Sequence, residues 1–237
     1  MSRPIRAATL PGLVVWGAGG HARVVADIVR LGGEFEIVGF LDDCDPERQG
    51  AAFCGATILG GVDQLPRLRE RGVDHLILGF GLITARLERA EIARRAGFRL
   101  ARAVHPGATV AGDVGVGPGT LVAAGAVLSP GCLLGENVIV NTSASVDHGS
   151  HLADHVHVSA GAHVGGDVEI GRGALVGMGA NVMSRVRVGA GAVIGAGALV
   201  LEDVPARTVA RGVPARIFAV EGACTSGAVG ATVRRRR

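Results

Sequence analysis

From Val104 to Val200 an aliphatic residue stands at every sixth position, seventeen times without a break. Two residues before each, from Ala108 to Ala198, the residue is always Ala, Val, Thr, Cys or Ser. A helix repeats every 3.6 residues and a strand every 2, so neither produces this pattern. A parallel β-helix does. Each hexad forms one short flat face, and three hexads close a triangular coil that rises about 4.8 Å. The aliphatic side chain fills the prism, and the small one fits a corner too narrow for anything larger. Gly117, Gly135, Gly171, Gly189 and Gly195 follow aliphatic residues and are expected to serve sharp turns there. A low-complexity Gly/Ala/Val tract would not hold phase for so long. The composition agrees: 48% hydrophobic residues with only 3% aromatics describe a core of thin aliphatic layers.

The segment before the hexads is built differently. Leu13–Trp16 reads as a buried strand, and it runs into Gly17-Ala18-Gly19-Gly20-His21-Ala22. A helix with Val24, Val25, Ile28, Val29 and Leu31 on one side follows, stopped by Gly32-Gly33. A second strand, Ile37–Leu41, ends at Asp42-Asp43. A short helix over 65–71, a strand over 75–78 and an arginine-rich helix over 82–96 complete the unit. Strands alternating with helices imply a parallel sheet. The expected organisation is a flexible start over 1–12, a Rossmann-like half domain over 13–101, a β-helix over 102–218 and a disordered basic tail over 219–237. The net charge of +3 is modest, with four arginines in the tail, so neither nucleic acid nor stable membrane insertion is expected. No apolar run reaches about 18 residues, and no signal-peptide core precedes the first strand. The four cysteines lack Cys-x-x-Cys spacing, which favours reduced thiols and a cytoplasmic setting.

Gly17-x-Gly19-x-x-Ala22 lies between a strand and a helix, where glycine lets backbone N–H groups approach a phosphate. With Asp42 and Asp43 at the end of the next strand, NAD is one reading. The unit is only one mononucleotide half, however, and His21 sits inside the loop, so a nucleoside diphosphate fits better. A tight turn without a ligand is the bland alternative. Gly17, Gly19, Gly20, His21, Asp42 and Asp43 are the candidate contacts of that nucleoside diphosphate, and the family resemblance described below implies that they hold a nucleotide sugar.

The β-helix carries a second cluster: His148, His151, His155, His157 and His163. β-Helical carbonic anhydrases bind zinc through histidines five apart, and no pair here has that spacing, so no metal is expected. None of the five occupies an inward aliphatic position, so all are expected to project outward. Gly166 lies 18 residues after His148, hence one coil above it, where its N–H could face the same reacting centre. His148 and His157 are half a coil apart and would meet only across a subunit boundary.

Asn141-Thr142-Ser143-Ala144-Ser145-Val146-Asp147-His148, followed by His157-Val158-Ser159-Ala160-Gly161-Ala162, resembles the active-site segment of sugar acetyltransferases related to sialic-acid O-acetyltransferase. Within that group the chain is most similar to the nucleotide-sugar 4-amino N-acetyltransferases of bacillosamine- and perosamine-type pathways. The Gly-Ala-Gly-Gly-His loop, Phe40-Leu41-Asp42-Asp43 and the closing Arg211-Gly212-Val213-Pro214-Ala215-Arg216 belong to the resemblance. It implies a left-handed hexapeptide-repeat β-helix, a homotrimer, and acetyl-CoA as co-substrate without metal. It further implies His148 as general base, an imidazole being suited by its ordinary pKa near 6.5. Gly166 N–H would stabilise the oxyanion. Asn141 and His157 would position acceptor and thioester, and acetyl-CoA would extend from Asn141, His157 and Gly166 toward Gly212 and Arg216. One departure stands out. Members of the resembled family commonly carry Asp or Glu directly after the catalytic histidine, where this chain has Gly149. The expected activity is acetyl-CoA-dependent N-acetylation of a nucleotide-linked amino sugar. Sugar O-acetylation and a non-catalytic nucleotide-sugar scaffold are the rivals.

Overall fold

The computed structural model describes residues 10–219, so the expected flexible start and basic tail lie almost wholly outside the described residues. The N-terminal unit runs β1 (Gly12–Trp16), α1 (Gly20–Gly32), β2 (Glu36–Leu41), β3 (Ala52–Phe53), β4 (Ala56–Gly60), α2 (Leu65–Glu70), β5 (His75–Leu78), α3 (Ile83–Arg95) and β6 (Arg99–Leu100). These strands form one sheet in the order β3-β4-β2-β1-β5-β6. The apolar run Leu13–Trp16 lies at its centre, fully buried and parallel to both β2 and β5. On α1 the buried stripe is Ala22, Val25, Ala26, Ile28 and Val29. Val24 and Leu31, expected on that side, fall at its margin and are exposed. The β3–β4 hairpin has no counterpart in the sequence reading. Its two-residue turn, Cys54-Gly55, has positive φ at both positions, and cysteine is not a residue that announces such a turn.

The hexads form three faces. The first is a stack from Ala103–Val104 to Val193–Ile194, the second runs from Thr109–Val110 to Leu199–Val200, and the third from Gly115–Val116 to Arg187–Val188. Strands pair in parallel with partners one coil apart, as in Leu121↔Ile139, Ser145↔His163 and His151↔Glu169. A closing antiparallel hairpin, Thr208–Arg211 with Arg216–Ala219, extends the first face. Aliphatic and small positions together make one continuous core from Val122 to Ala210. Hydroxyls at two small positions are satisfied inside it. Thr120 Oγ1 donates to Gly135 O at 3.0 Å and accepts from Val138 N, and Ser150 Oγ donates to Gly165 O at 2.8 Å and accepts from Val168 N.

The glycines after the aliphatic residues serve a different purpose from the one expected. At Gly117, Gly171 and Gly189 a Cβ would collide with the backbone of the next coil, so these glycines permit close stacking. The left-handed turn falls two residues later, at every sixth position from Gly119 to Gly197. Asn137, Ser143, His155, Asp167 and Arg185 hold it without glycine.

The two units share a core. Leu121 and Ile139, on the outer side of the first face, are fully buried against the N-terminal unit, in one cluster with Ile28 and Val29. His157 is the next residue up that outer stack.

Candidate active site

The glycine loop leaves an open helix start. Gly17 takes φ +128° with its N–H on Leu41 O at 2.8 Å, and a Cβ there would press on Gly79 O at 3.0 Å. Nothing lies within 4 Å of a Cβ placed at Gly19 or Gly20. Gly19 caps α1 without any side-chain hydrogen bond, and the first turn holds no acid. Free N–H groups and the helix dipole therefore face open space, which suits an anion.

Asp42 and Asp43 stand beside this opening with their carboxylates already engaged. Asp42 Oδ2 accepts from Arg48 Nη1 at 2.6 Å while Oδ1 accepts from Cys44 N, and Arg48 also reaches Ala18 O in the loop. Asp43 Oδ2 accepts from Trp16 Nε1 and Arg89 Nε, and Oδ1 from Val62 N. Both acids shape the walls of the cleft.

His21 and His157 come together where the two units meet. His157 lies half-buried under Gly81, whose Cβ would stand 3.3 Å from the imidazole Cε1. The Nε2 atoms of His21 and His157 are both buried without a protein partner. Burial first, then the charge of Arg86, lowers each pKa to about 4. Both rings are thus neutral at physiological pH, each with one ring nitrogen buried and unpartnered.

Arg86 itself was not legible as a site residue. On α3 it is 2% exposed. Nη1 donates to Leu78 O and Phe80 O at 3.1 and 2.9 Å, and Nη2 donates to Asn137 Oδ1 with weaker contacts to Gly119 O and Asn137 O. Burial lowers its pKa to about 9, so it remains a cation at neutral pH. It ties the loop above His157 to the first coils. Asn137 Nδ2 continues the network to His155 Nδ1 at 3.1 Å. His155 therefore corrects the expectation that all five histidines project outward: it is 5% exposed, and burial pushes its pKa down to about 4. Its φ of +60° places it at a turn, where the hexad phase does not determine orientation.

These three lowered values imply a pH dependence. The unfolded chain protonates such histidines near pH 6.5 and the folded protein only near 4. Their contribution is complete above pH 6.5 and is lost as pH falls from 6.5 to 4. The urea midpoint is expected to be lower at pH 5 than at pH 7, and equal midpoints would contradict these burial assignments.

His148 lies on another side of the prism, at the corner between the second and third faces, and is exposed. Its ring rests on Gly166, where a Cβ would fall 2.5 Å from Cε1 and 2.7 Å from Nε2. Only glycine at 166 leaves room for the imidazole. Asp147 Oδ1 accepts the His148 backbone N–H at 2.8 Å. That bond, with the Ser129 hydroxyl, holds the Asp147 carboxyl below the usual carboxylate range. A groove of about 350 Å³ lined by Ser129, Ser145, Asp147, His163 and Met183 adjoins this corner. The Gly166 N–H donates to Ser184 Oγ at 3.2 Å, a partner absent from the sequence reading. Asn141 sits at the corner between the first and second faces, its Oδ1 accepting Thr142 N at 2.8 Å and its amide NH2 free to donate. Gly212 and Arg216 belong to the closing hairpin, far along the coil axis, and Arg216 is exposed.

Gly149 has φ +67°, and a Cβ there would run into the Asp167 carboxylate. Gly149→Asp is expected to cost stability by like-charge repulsion and steric conflict, visible as a lowered Tm; an unchanged Tm would show that Asp167 yields freely.

Residues 12–93 match the PglD N-terminal domain family, and residues 167–202 match the bacterial transferase hexapeptide family of six repeats. No curated protein matches the chain. Among solved structures, a histidine-to-alanine variant of GDP-perosamine N-acetyl transferase from Caulobacter crescentus, in complex with CoA and GDP-perosamine, is 35% identical. It superposes with a TM-score of 0.84, covering 90% of this chain and 99% of that one. The acetyltransferase domain of PglB from Neisseria gonorrhoeae, in complex with acetyl coenzyme A, is 38% identical with a TM-score of 0.82, covering 88% and 100%. WeeI from Acinetobacter baumannii, 23% identical over 89% and 100% with a TM-score of 0.78, shares the fold.

Proposed function

This chain belongs to the hexapeptide-repeat N-acetyltransferases of nucleotide-linked amino sugars, and on that premise we propose how its own residues carry out the transfer. It is an acyltransferase that moves the acetyl group of acetyl-CoA to the amino group of a nucleotide sugar. The observation that carries the residue assignment is the His148 ring seated on the side-chain-free Gly166 one coil above it. His148 takes a proton from the acceptor amine as its nitrogen attacks the thioester carbonyl. The C–N bond forms, the C–S bond breaks, and the imidazolium returns its proton to the leaving thiolate. Charge developing on the carbonyl oxygen meets the donors at the Gly166 corner.

The nucleotide diphosphate lies at the open start of α1, on Gly17, Gly19, Gly20 and His21, within walls set by Asp42 and Asp43. His157, beside His21 under Gly81, acts on the nucleotide-sugar side. Asn141 offers its amide NH2 toward the acceptor or thioester, and the far end of acetyl-CoA extends toward Gly212 and Arg216. His148 and Asn141 occupy different corners of one prism, and His157 a different face, so a complete site requires a neighbouring copy. We read the working unit as a homotrimer with sites between subunits. None of the helices among the described residues is long and apolar enough to cross a membrane. The acetyl-CoA requirement and the free thiols of Cys44, Cys54 and Cys132 among the described residues favour the cytoplasm.

The test is release of CoA thiol by the purified protein with acetyl-CoA and a panel of nucleotide-linked amino and hydroxy sugars. Turnover on an amino sugar is expected, and turnover only on hydroxyl acceptors would replace N- by O-acetylation. A second test addresses the loop. Because the space at Gly19 is open, Gly19→Val leaves the fold intact and blocks only a ligand. Nucleotide-sugar affinity is expected to fall at least about tenfold, with acetyl-CoA affinity unchanged. Calorimetry showing both ligands equally weakened would make the loop structural.

A further inference from the structure

Arg48 touches both the glycine loop and the acid beside it. Its Nη1 donates to Ala18 O at 3.1 Å and to Asp42 Oδ2 at 2.6 Å. Asp42 is 8% exposed and its other oxygen accepts from Cys44 N, so this carboxylate serves the protein rather than the opening. The β3–β4 hairpin braces the guanidinium: the centre of the Phe53 ring lies 5.5 Å from Arg48 Cζ, and the ring packs edge-on against Phe40. A loop that must stay bare of side chains cannot fix its own backbone, because glycine is the freest residue, and the hold has to come from elsewhere. Ala18 O belongs to the peptide whose N–H is that of Gly19. In this trans peptide the C=O and N–H point in opposite directions. Holding Ala18 O on Arg48 therefore keeps the Gly19 N–H directed away from Arg48. That N–H has no protein acceptor among the described residues.

We propose that Arg48 is a positioning residue of the nucleotide-sugar site: fastened by Asp42 and Phe53, it sets the Ala18–Gly19 peptide so that the Gly19 N–H meets the diphosphate. The inference rests on the reading above that the diphosphate lies at the start of α1. An amide whose direction is already set loses little freedom when the anion arrives, which raises affinity. The bond that Ala18 O accepts from a cation also makes the N–H of the same peptide a stronger donor.

The probe is inorganic pyrophosphate, followed at the Gly19 amide by NMR. In the wild type that resonance is expected to shift as pyrophosphate is added. Arg48→Met approximates the length of the side chain and removes every donor. Affinity for pyrophosphate and for the nucleotide sugar should then fall about 10- to 100-fold, with acetyl-CoA affinity within about twofold. Arg48→Lys should recover part of the loss, since an ammonium can still reach one of the two acceptors. Because Arg48→Met leaves Asp42 without its cation, a second variant combines it with Asp42→Asn; removing the pair together should give the same loss as Arg48→Met alone. The rival reading, in which Asp42 itself contacts the ligand and Arg48 occupies it, predicts the opposite sign. Arg48→Met would then leave nucleotide-sugar affinity unchanged or higher, and the double variant would bind more weakly than the single one; either result overturns the proposal. Failure of the underlying reading looks different: pyrophosphate would leave the wild-type Gly19 resonance unmoved, and the proposal falls with it.

Discussion

His148→Ala is expected to lower kcat by about 10²- to 10⁴-fold while nucleotide-sugar and acetyl-CoA binding persist. His148 is the exposed imidazole whose ring rests on Gly166, and in the proposed mechanism it alone accepts the amine proton. Its side chain contributes nothing to the core, since the inward residue of that hexad is Val146, fully buried and untouched by the substitution. Tm and oligomeric state should therefore match the wild type, leaving the rate as a clean readout. A variant that keeps more than about half its turnover would remove His148 from the mechanism. The adjacent Asp147 carboxylate, bound to the His148 backbone N–H, cannot replace it as base. Held below the usual carboxylate range, it is too weak a base for the task at neutral pH.

The second large effect is structural. Arg86→Met should destabilise the protein by about 3–5 kcal/mol, because a buried polar network loses its donor and its carbonyls remain buried. The groups left behind are Leu78 O, Phe80 O, Gly119 O and Asn137, which belong to both units. For a chain of this size the loss corresponds to a fall in Tm of roughly 6–20 °C. Arg86→Lys should recover only part of it, since an ammonium cannot span the same set of acceptors. The network also holds the loop over His157. Without the Arg86 charge, the pKa values of His21 and His157 should rise, though burial, the larger cause, keeps them below the ordinary value. Imidazole NMR titration would detect that rise, which a purely mechanical role for Arg86 would not produce. A Tm within about 2 °C of wild type would show that water replaces the guanidinium at no cost.

Several site residues were visible as chemistry but not as geometry. The glycine loop and the Asp42-Asp43 pair stood out because their spacing is local to one strand–helix–strand unit. Their roles diverge in the structure: Gly19 and Gly20 open onto solvent, whereas both carboxylates are taken up by Arg48, Trp16, Arg89 and backbone N–H groups. Of those partners only Cys44 N, two residues after Asp42, is a neighbour that a spacing rule would nominate. Ser184 escaped notice for a similar reason. It is one coil removed from Gly166, and the same coil arithmetic that linked Gly166 to His148 would have found it.

Sequence alone determined the β-helix, its 18-residue coil and the height of every residue along it. An unbroken hexad leaves one way to bury the aliphatic side chains from Val122 onward, and parallel pairing then locks the register. It also determined which corner would bring His148 against Gly166, because stacking is a matter of counting. Tertiary structure decided what covers each face. Leu121 and Ile139 are apolar at outward positions, a sign that something packs there, but only the docked N-terminal unit shows that the same stack carries His157 under Gly81 and beside His21. Likewise, the period separates inward from outward residues on the flat faces and says nothing at the turns. There His155 is drawn inside by a network with Asn137 and Arg86, and a side chain at Gly149 would meet the Asp167 carboxylate. Periodicity encodes the repeating contacts; contacts made once, between units or at corners, have no period to encode them.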